Sequence, residues 1–120
     1  MELSGPAKRL TIIIGERDHH GHHSLATEIV ERAHAAGLAG VTVQRGIEGY
    51  GRSNHLHTSR ILSLSDDLPI SIVIVDLAQA IESFAGDVLG IVGGGLVTVE
   101  DVEVLRYGDG RTAADGTDGT

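Results

Sequence analysis

The chain has 120 residues, with nine lysines and arginines against 17 aspartates and glutamates, for a formal net charge of -8. That length is one domain with a modest core, and the acidic balance argues against a general nucleic-acid binder. With no cysteine, disulfide frameworks, thiolate metal sites and cysteine nucleophiles are excluded.

Residues 1–9 read MELSGPAKR, too polar for a signal peptide, and are expected to form a flexible N-terminus. Leu10-Thr11-Ile12-Ile13-Ile14 is short, apolar and β-branched, which predicts a first strand buried on both faces at its centre. A polar turn follows. Ser24 or a neighbour should begin a helix over about 22–36, with Leu25, Ile29, Val30 and Ala33 on one face and Gly37 ending it. Residues 40–47 read as the second strand. The stretch QRGIEGYGRSNHLHTSR at 44–60 contains a long loop over 48–60, with a short helical turn expected near Thr58–Leu62. Asp66-Asp67-Leu68-Pro69 reads as a solvated turn, and Pro69 marks a boundary. The third strand is Ile70–Val75. Asp76 is placed to cap a second helix carrying Ile81, Phe84, Val88 and Leu89 on one side.

Gly93-Gly94-Gly95 breaks that helix. Leu96–Val99 is apolar and Val102–Tyr107 alternates, so at least the second run is a strand, while Thr98-Val99-Glu100-Asp101 resembles a turn. From Gly108 to Thr120 there is little but Gly, Asp, Thr and Ala, a composition that cannot pack. The domain is therefore expected over 10–107, with a disordered tail at 108–120. No apolar run approaches the ~20 residues of a membrane-spanning helix, and a cytoplasmic location is the expectation.

The order β-α-β-β-α-β is the ferredoxin-like α+β pattern, an antiparallel sheet with two helices on one face. The strands read as apolar on both sides, with Ile12, Ile14, Val41, Val43, Ile72 and Ile74 exceeding what two helices can cover. Packing the open face against other subunits would resolve this.

Several stretches together resemble one family. Thr11–Asp18, Ala36–Val43, Arg45–Gly51, His57-Thr58, Leu64–Pro69, Gly95–Thr98 and Val102–Val104 look like the small DUF190 proteins, over about residues 9–106. That family is similar in fold to the PII signal-transduction proteins. The resemblance implies a homotrimer, adenine nucleotides in clefts between subunits, and a loop after the second strand that changes shape. The matching positions are the Gly46–Arg52 loop base, the Gly37–Thr42 turn and the Gly93–Leu96 turn. They make Gly37, Thr42, Arg45, Gly46, Gly49, Gly51, Arg52, Gly93, Gly94, Gly95 and Leu96 the candidate nucleotide-binding residues. The PII turn before the last strand includes basic phosphate ligands, whereas Gly93-Gly94-Gly95-Leu96-Val97 has no lysine or arginine. AMP, ADP or a cyclic nucleotide is therefore favoured over ATP.

The residues themselves support an anion site at the loop base. Gly46, Gly49 and Gly51 permit unusual angles and close approach, amides in such turns cradle anions, and Arg45 and Arg52 offer planar forks to a phosphate. His19, His20, His22 and His23 lie close to Glu16 and Asp18 and suit zinc, copper or nickel, though without a fixed metal spacing. His55 and His57 alternate along the loop, where they could bind a metal at a trimer axis or respond to pH. No nucleophile, base and orienting group occur at informative spacing, so an enzyme is not expected. The reading is a regulatory protein that binds a small effector and reports through 48–60 to a partner, for which a membrane transporter or channel is a candidate. A metal-binding trimer built on the histidine cluster and a structural adaptor without ligand are the alternatives.

Overall fold

In the computed structural model, which describes residues 3–51, 55–58 and 67–108, the sheet is organised by its first strand. β1 runs from Leu3 to Gly15, and β2 (His19–His20) and β3 (His23–Ser24) form a small hairpin after it. Helix α1 (Leu25–Ala35) leads to β4 (Thr42–Arg45), and β5 (Glu48–Gly49) and β6 (His57–Thr58) form a second small hairpin. Then come β7 (Pro69–Asp76), α2 (Ala78–Leu89) and β8 (Leu96–Tyr107). The main sheet has the order β4-β7-β1-β8, antiparallel at every pairing. This is the ferredoxin-like arrangement, with the core between one sheet face and the two helices.

Strand alternation decides which side chains reach that core. Leu10, Ile12 and Ile14 of β1 and Ile70, Ile72 and Ile74 of β7 pack with Leu25, Ile29 and Ala33 of α1 and Ile81, Phe84 and Val88 of α2. Register places Val43, Ile72, Ile12 and Val97 in one row across the sheet. The expectation that Ile12, Ile14, Ile72 and Ile74 represent apolar surface left over by the helices is therefore corrected. All four lie on the helix face and are buried within one chain, and Val41 also packs against this core. The opposite face is carried by Thr11, Ile13, Ser71, Val73 and Val75.

Residues 3–9 are strand, not a flexible terminus. They pair with the end of β8, and Gly5, at φ +88°, takes up a register shift between Leu3 and Gly5. Pro6 is tolerated because β7 pairs with β1 no further back than Lys8, so this part of β1 has a neighbour on one side only. Thr98–Asp101 also belongs to a strand rather than a turn. Its acids are cross-strand partners of the two basic residues of β1, with Lys8 bonded to Asp101 at 2.8 Å and Arg9 paired with Glu100.

Helix α1 starts at Leu25, not near residue 22, because Ser24 is its N-cap and accepts the Thr27 N–H on Oγ at 3.1 Å. Its end follows the glycine rule: Gly37 adopts φ +76°, its N–H donates to the His34 carbonyl, and the Leu38 N–H donates to the Ala33 carbonyl. Asp76 does not cap α2, whose N-cap is Leu77. The Asp76 carboxylate is buried and accepts the Ala39 N–H at 2.9 Å and the Leu77 N–H at 2.7 Å, which ties the α1–β4 connection to the end of β7. Tyr107 completes the tie by donating to the Ala39 carbonyl at 2.6 Å. Among the described residues no helix is long and apolar enough to cross a membrane.

Candidate functional site

At the other end of β7 from Asp76, a cleft of about 510 Å³ opens between the end of β1, the β5–β6 hairpin, the start of β7 and the turn before β8. Its walls include Gly15 and Asp18, Gly49, Tyr50 and Gly51, His57, Asp67 and Pro69, and Gly94, Gly95 and Leu96. Chain crossings here are tight. A Cβ on Gly95 would lie 2.6 Å from the Ile13 carbonyl oxygen, and one on Gly46 would lie 2.7 Å from Pro69 Cγ. Gly46 N–H donates to the Pro69 carbonyl at 2.7 Å and Glu16 N–H to the Leu68 carbonyl at 2.8 Å, so both neighbours of β7 stay paired to the rim of the cleft.

Two carboxylates and one imidazole supply the charge-bearing side chains of the described walls. Asp18 closes the turn after β1, accepting the Gly15 N–H on Oδ2 at 3.0 Å. Asp67 accepts the Arg17 N–H on Oδ1 at 2.7 Å, and its carboxylate lies directly over Gly15, where a Cβ would meet Asp67 Cγ at 2.8 Å. The Asp67 N–H donates to His57 Nδ1 at 2.9 Å. β6 is thereby bonded to the start of β7, and that to the turn after β1.

The cleft gathers Gly49, Gly51, Gly94, Gly95 and Leu96 from the sequence-based candidates. Gly46 borders it through Pro69, and Gly93 directly precedes the Gly94–Leu96 wall. Arg45 is directed elsewhere: its Nε bonds Glu16 Oε2 at 2.7 Å and its Nη2 bonds Oε1 at 3.3 Å, so its fork is already matched to a carboxylate. Gly37 serves the end of α1, and Thr42 pairs with Val73 on the exposed edge strand β4; within one chain neither reaches the cleft. Arg52 lies outside the described residues, as do residues 59–62 of the expected helical turn and the tail from 109 on. The expected conformational freedom of Gly46, Gly49 and Gly51 is also corrected: among the described residues the glycines with positive φ are Gly5, Gly21 and Gly37, and the role of Gly46 and Gly49 is close approach to Pro69.

The histidine cluster folds as a hairpin turning at Gly21, with φ +62°. His20 pairs with His23 and His19 with Ser24, so alternation sends His19 to the opposite side from the other two. His20 Nε2 accepts from Arg32 Nη2 at 3.4 Å. Among the described residues no three His, Cys, Asp or Glu side chains converge as metal ligands. Asp18 and Asp67 are the residues that sequence reasoning missed. Asp18 reads as a neighbour of the histidine cluster and Asp67 as turn solvation, and only the Gly15–Pro69 register brings positions so far apart in sequence to the same glycine.

The DUF190 family model (Uncharacterized ACR) matches residues 7–104. The chain belongs to the DUF190 family. The UPF0166 protein of Aquifex aeolicus (strain VF5) is 38% identical to this DUF190 chain over 77 residues, 64% of this chain and 72% of that protein. Similar solved structures include CPII, a nitrogen regulatory PII-like protein from Thiomonas intermedia K12. Its complex with ADP, AMP and bicarbonate has a TM-score of 0.57 at 24% identity, covering 82% of this chain and 88% of that one. The CPII complex with ADP and bicarbonate has a TM-score of 0.53 at 26% identity over the same shares. CutA from Synechococcus elongatus PCC7942 matches in fold alone, with a TM-score of 0.55 at 8% identity over 97% of this chain and 94% of that one. The fold of this DUF190 chain is PII-like.

Proposed function

We propose that this DUF190 protein is a PII-like regulatory protein of the cytoplasm that binds an adenine nucleotide in clefts between the subunits of a homotrimer. Occupancy is reported through residues 48–60 to a partner protein, with a membrane transporter or channel as the candidate class. The observation that carries the reading is the 510 Å³ cleft in which Gly49, Gly51, Gly94, Gly95 and Leu96 meet. The likeness to CPII, solved with ADP and bicarbonate, supports the ligand class. An intersubunit site draws on two copies, so Gly37 and Thr42 stand as candidates for its other wall.

The carboxylates of the described walls, Asp18 and Asp67, are acceptors that suit the amino and hydroxyl donors of a nucleoside better than a run of phosphates. The role is binding rather than turnover: a ligand that contacts the hairpin and the body together biases how the hairpin sits. Calorimetry with AMP, ADP and ATP tests the reading, with Gly51→Leu as the blocked variant, because a Cβ there meets no described atom within 4 Å and fills the cleft without a backbone clash. AMP and ADP should bind at least as well as ATP, and Gly51→Leu should weaken both. Absence of binding by all three at millimolar concentration would leave the adaptor reading in its place.

A further inference from the structure

Aromatic rings are scarce in this chain, which has one phenylalanine, two tyrosines and no tryptophan. Two of these rings serve the fold. Phe84 is buried in the core, and Tyr107 donates to the Ala39 carbonyl at the far end of β7. Tyr50 is different: it lies on the cleft wall and is 67% exposed. A ring left in water forgoes the burial that makes large aromatic side chains useful to a fold. The backbone nevertheless holds it at the cleft. The pairing of Glu48 with Thr58 and of Gly49 with His57 ends directly before it. A Cβ on Gly49 would lie 3.2 Å from Pro69 Cγ, so the residue before Tyr50 is pressed against the rim. On the other side, a Cβ on Gly51 would meet no described atom within 4 Å, which leaves open space beside the ring.

We propose that Tyr50 is the stacking platform for the base of the bound nucleotide. The proposal rests on the nucleotide reading above and adds to it a residue of the reporting segment itself. Every base has a π-face that stacks on an aromatic side chain, and the ring quadrupole favours an offset arrangement. The other ring of the described walls, His57, is already engaged by the Asp67 N–H and by the His55 ring, 4.7 Å away between centroids. Ile13, Ile14 and Leu96 line the same cleft, so a flat apolar group that enters it meets aliphatic side chains as well as the phenol. Asp18 and Asp67 can accept from amino and hydroxyl groups, but they offer nothing to the face of a base. Tyr50 supplies that contact. Because it stands near the start of 48–60, a base stacked on it restricts the residues that follow Gly49 more than an empty cleft does.

The test compares wild type, Tyr50→Phe and Tyr50→Leu by calorimetry with ADP, by light scattering and by tyrosine fluorescence. Phenylalanine keeps the ring and loses the hydroxyl, whereas leucine keeps apolar bulk and loses the π-face. Tyr50→Phe should bind ADP within about threefold of wild type, and Tyr50→Leu about tenfold more weakly. The mass should be the same in all of them. ADP should quench tyrosine emission in wild type beyond its effect on Tyr50→Phe, in which Tyr107 is the remaining tyrosine and the absorbance of the ligand is identical. The proposal is overturned if Tyr50→Leu binds like wild type, if Tyr50→Phe binds as weakly as Tyr50→Leu, or if quenching is equal in wild type and Tyr50→Phe. A lower mass for Tyr50→Leu also overturns it, by making Tyr50 a contact between subunits. If wild type binds none of AMP, ADP and ATP, the nucleotide reading falls and this proposal with it. If wild type binds ADP and Tyr50→Leu binds it equally, this proposal alone falls.

Discussion

Gly95 and Gly15 are both filled by their neighbours, yet the neighbours differ in kind. Beside Gly95 stand the Ile13 carbonyl at 2.6 Å and Ile14 Cγ2 at 2.8 Å from an added Cβ, so Gly95→Ala has to move β1 itself. We expect it to cost roughly 1–3 kcal/mol, seen as a lower urea midpoint. Beside Gly15 stands the Asp67 carboxylate, which can swing away. Gly15→Ala should therefore cost less stability than Gly95→Ala while weakening ADP binding, because the displaced carboxylate leaves the Arg17 N–H. Glu28 gives the pH-dependent case. Its carboxyl is held below the ordinary carboxylate range, first by the hydrogen bond from Arg32, with the Arg32 charge and then those of His20 and His23 adding to it against the opposing effect of burial. A depressed folded value means stability that is present above the unfolded value and lost as pH falls through the folded one. Glu28→Gln should flatten that portion of the acid limb, by a small amount for a pair still partly open to solvent, and urea midpoints measured against pH would reveal it. Residue types pointed to this corner of the molecule, but not to partners. Arg45 reads as a phosphate ligand until the fold sets Glu16 beside it, and Asp67 reads as turn solvation until register lays it over Gly15.

The elements were legible where periodicity is strong. Ile70–Val75 and the packed faces of both helices follow from spacing, except that Leu89, expected on the packed side of α2, is exposed. The ends were not, because the deciding groups lie elsewhere in the chain. Gly5 and Pro6 signal a break, but a bulge and a one-sided neighbourhood absorb them. Thr98–Asp101 carries the composition of a turn, but Lys8 and Arg9 lie opposite its acids. Asp76 has the look of a cap, but its carboxylate reaches the α1–β4 connection instead. Asp76→Ala would leave the Ala39 and Leu77 amides without their buried acceptor, at a cost of roughly 2–3 kcal/mol. Tyr107→Phe, which removes one bond at a more exposed position, should cost about 1 kcal/mol. Thermal unfolding of the two variants would give that order. The reverse order would mean that the β8 end, rather than the buried carboxylate, holds the connection in place.

For the molecule as a whole, the sheet face away from the helices presents Ile13, Val73 and Val75 among Thr11 and Ser71, and the proposed trimer would cover it. Val73→Glu should shift the mass measured by light scattering toward one chain while the far-ultraviolet dichroism keeps its strand signal. A wild-type protein that is already monomeric at micromolar concentration would remove the intersubunit site. The placing of β1 has a further consequence, for the time course of folding. The strand at the centre of the sheet is synthesised first, but its two neighbours, β7 and β8, include the last strand of the sheet. Lys8 waits for Asp76 on one side and Asp101 on the other. Loops that long must close before the pairing rewards them, which slows folding relative to a helical domain of the same size. A ribosome-bound chain that has emerged only as far as α2 has one flank of β1 still open, and that exposed edge is where a nascent-chain binding factor would find an extended, apolar strand to hold.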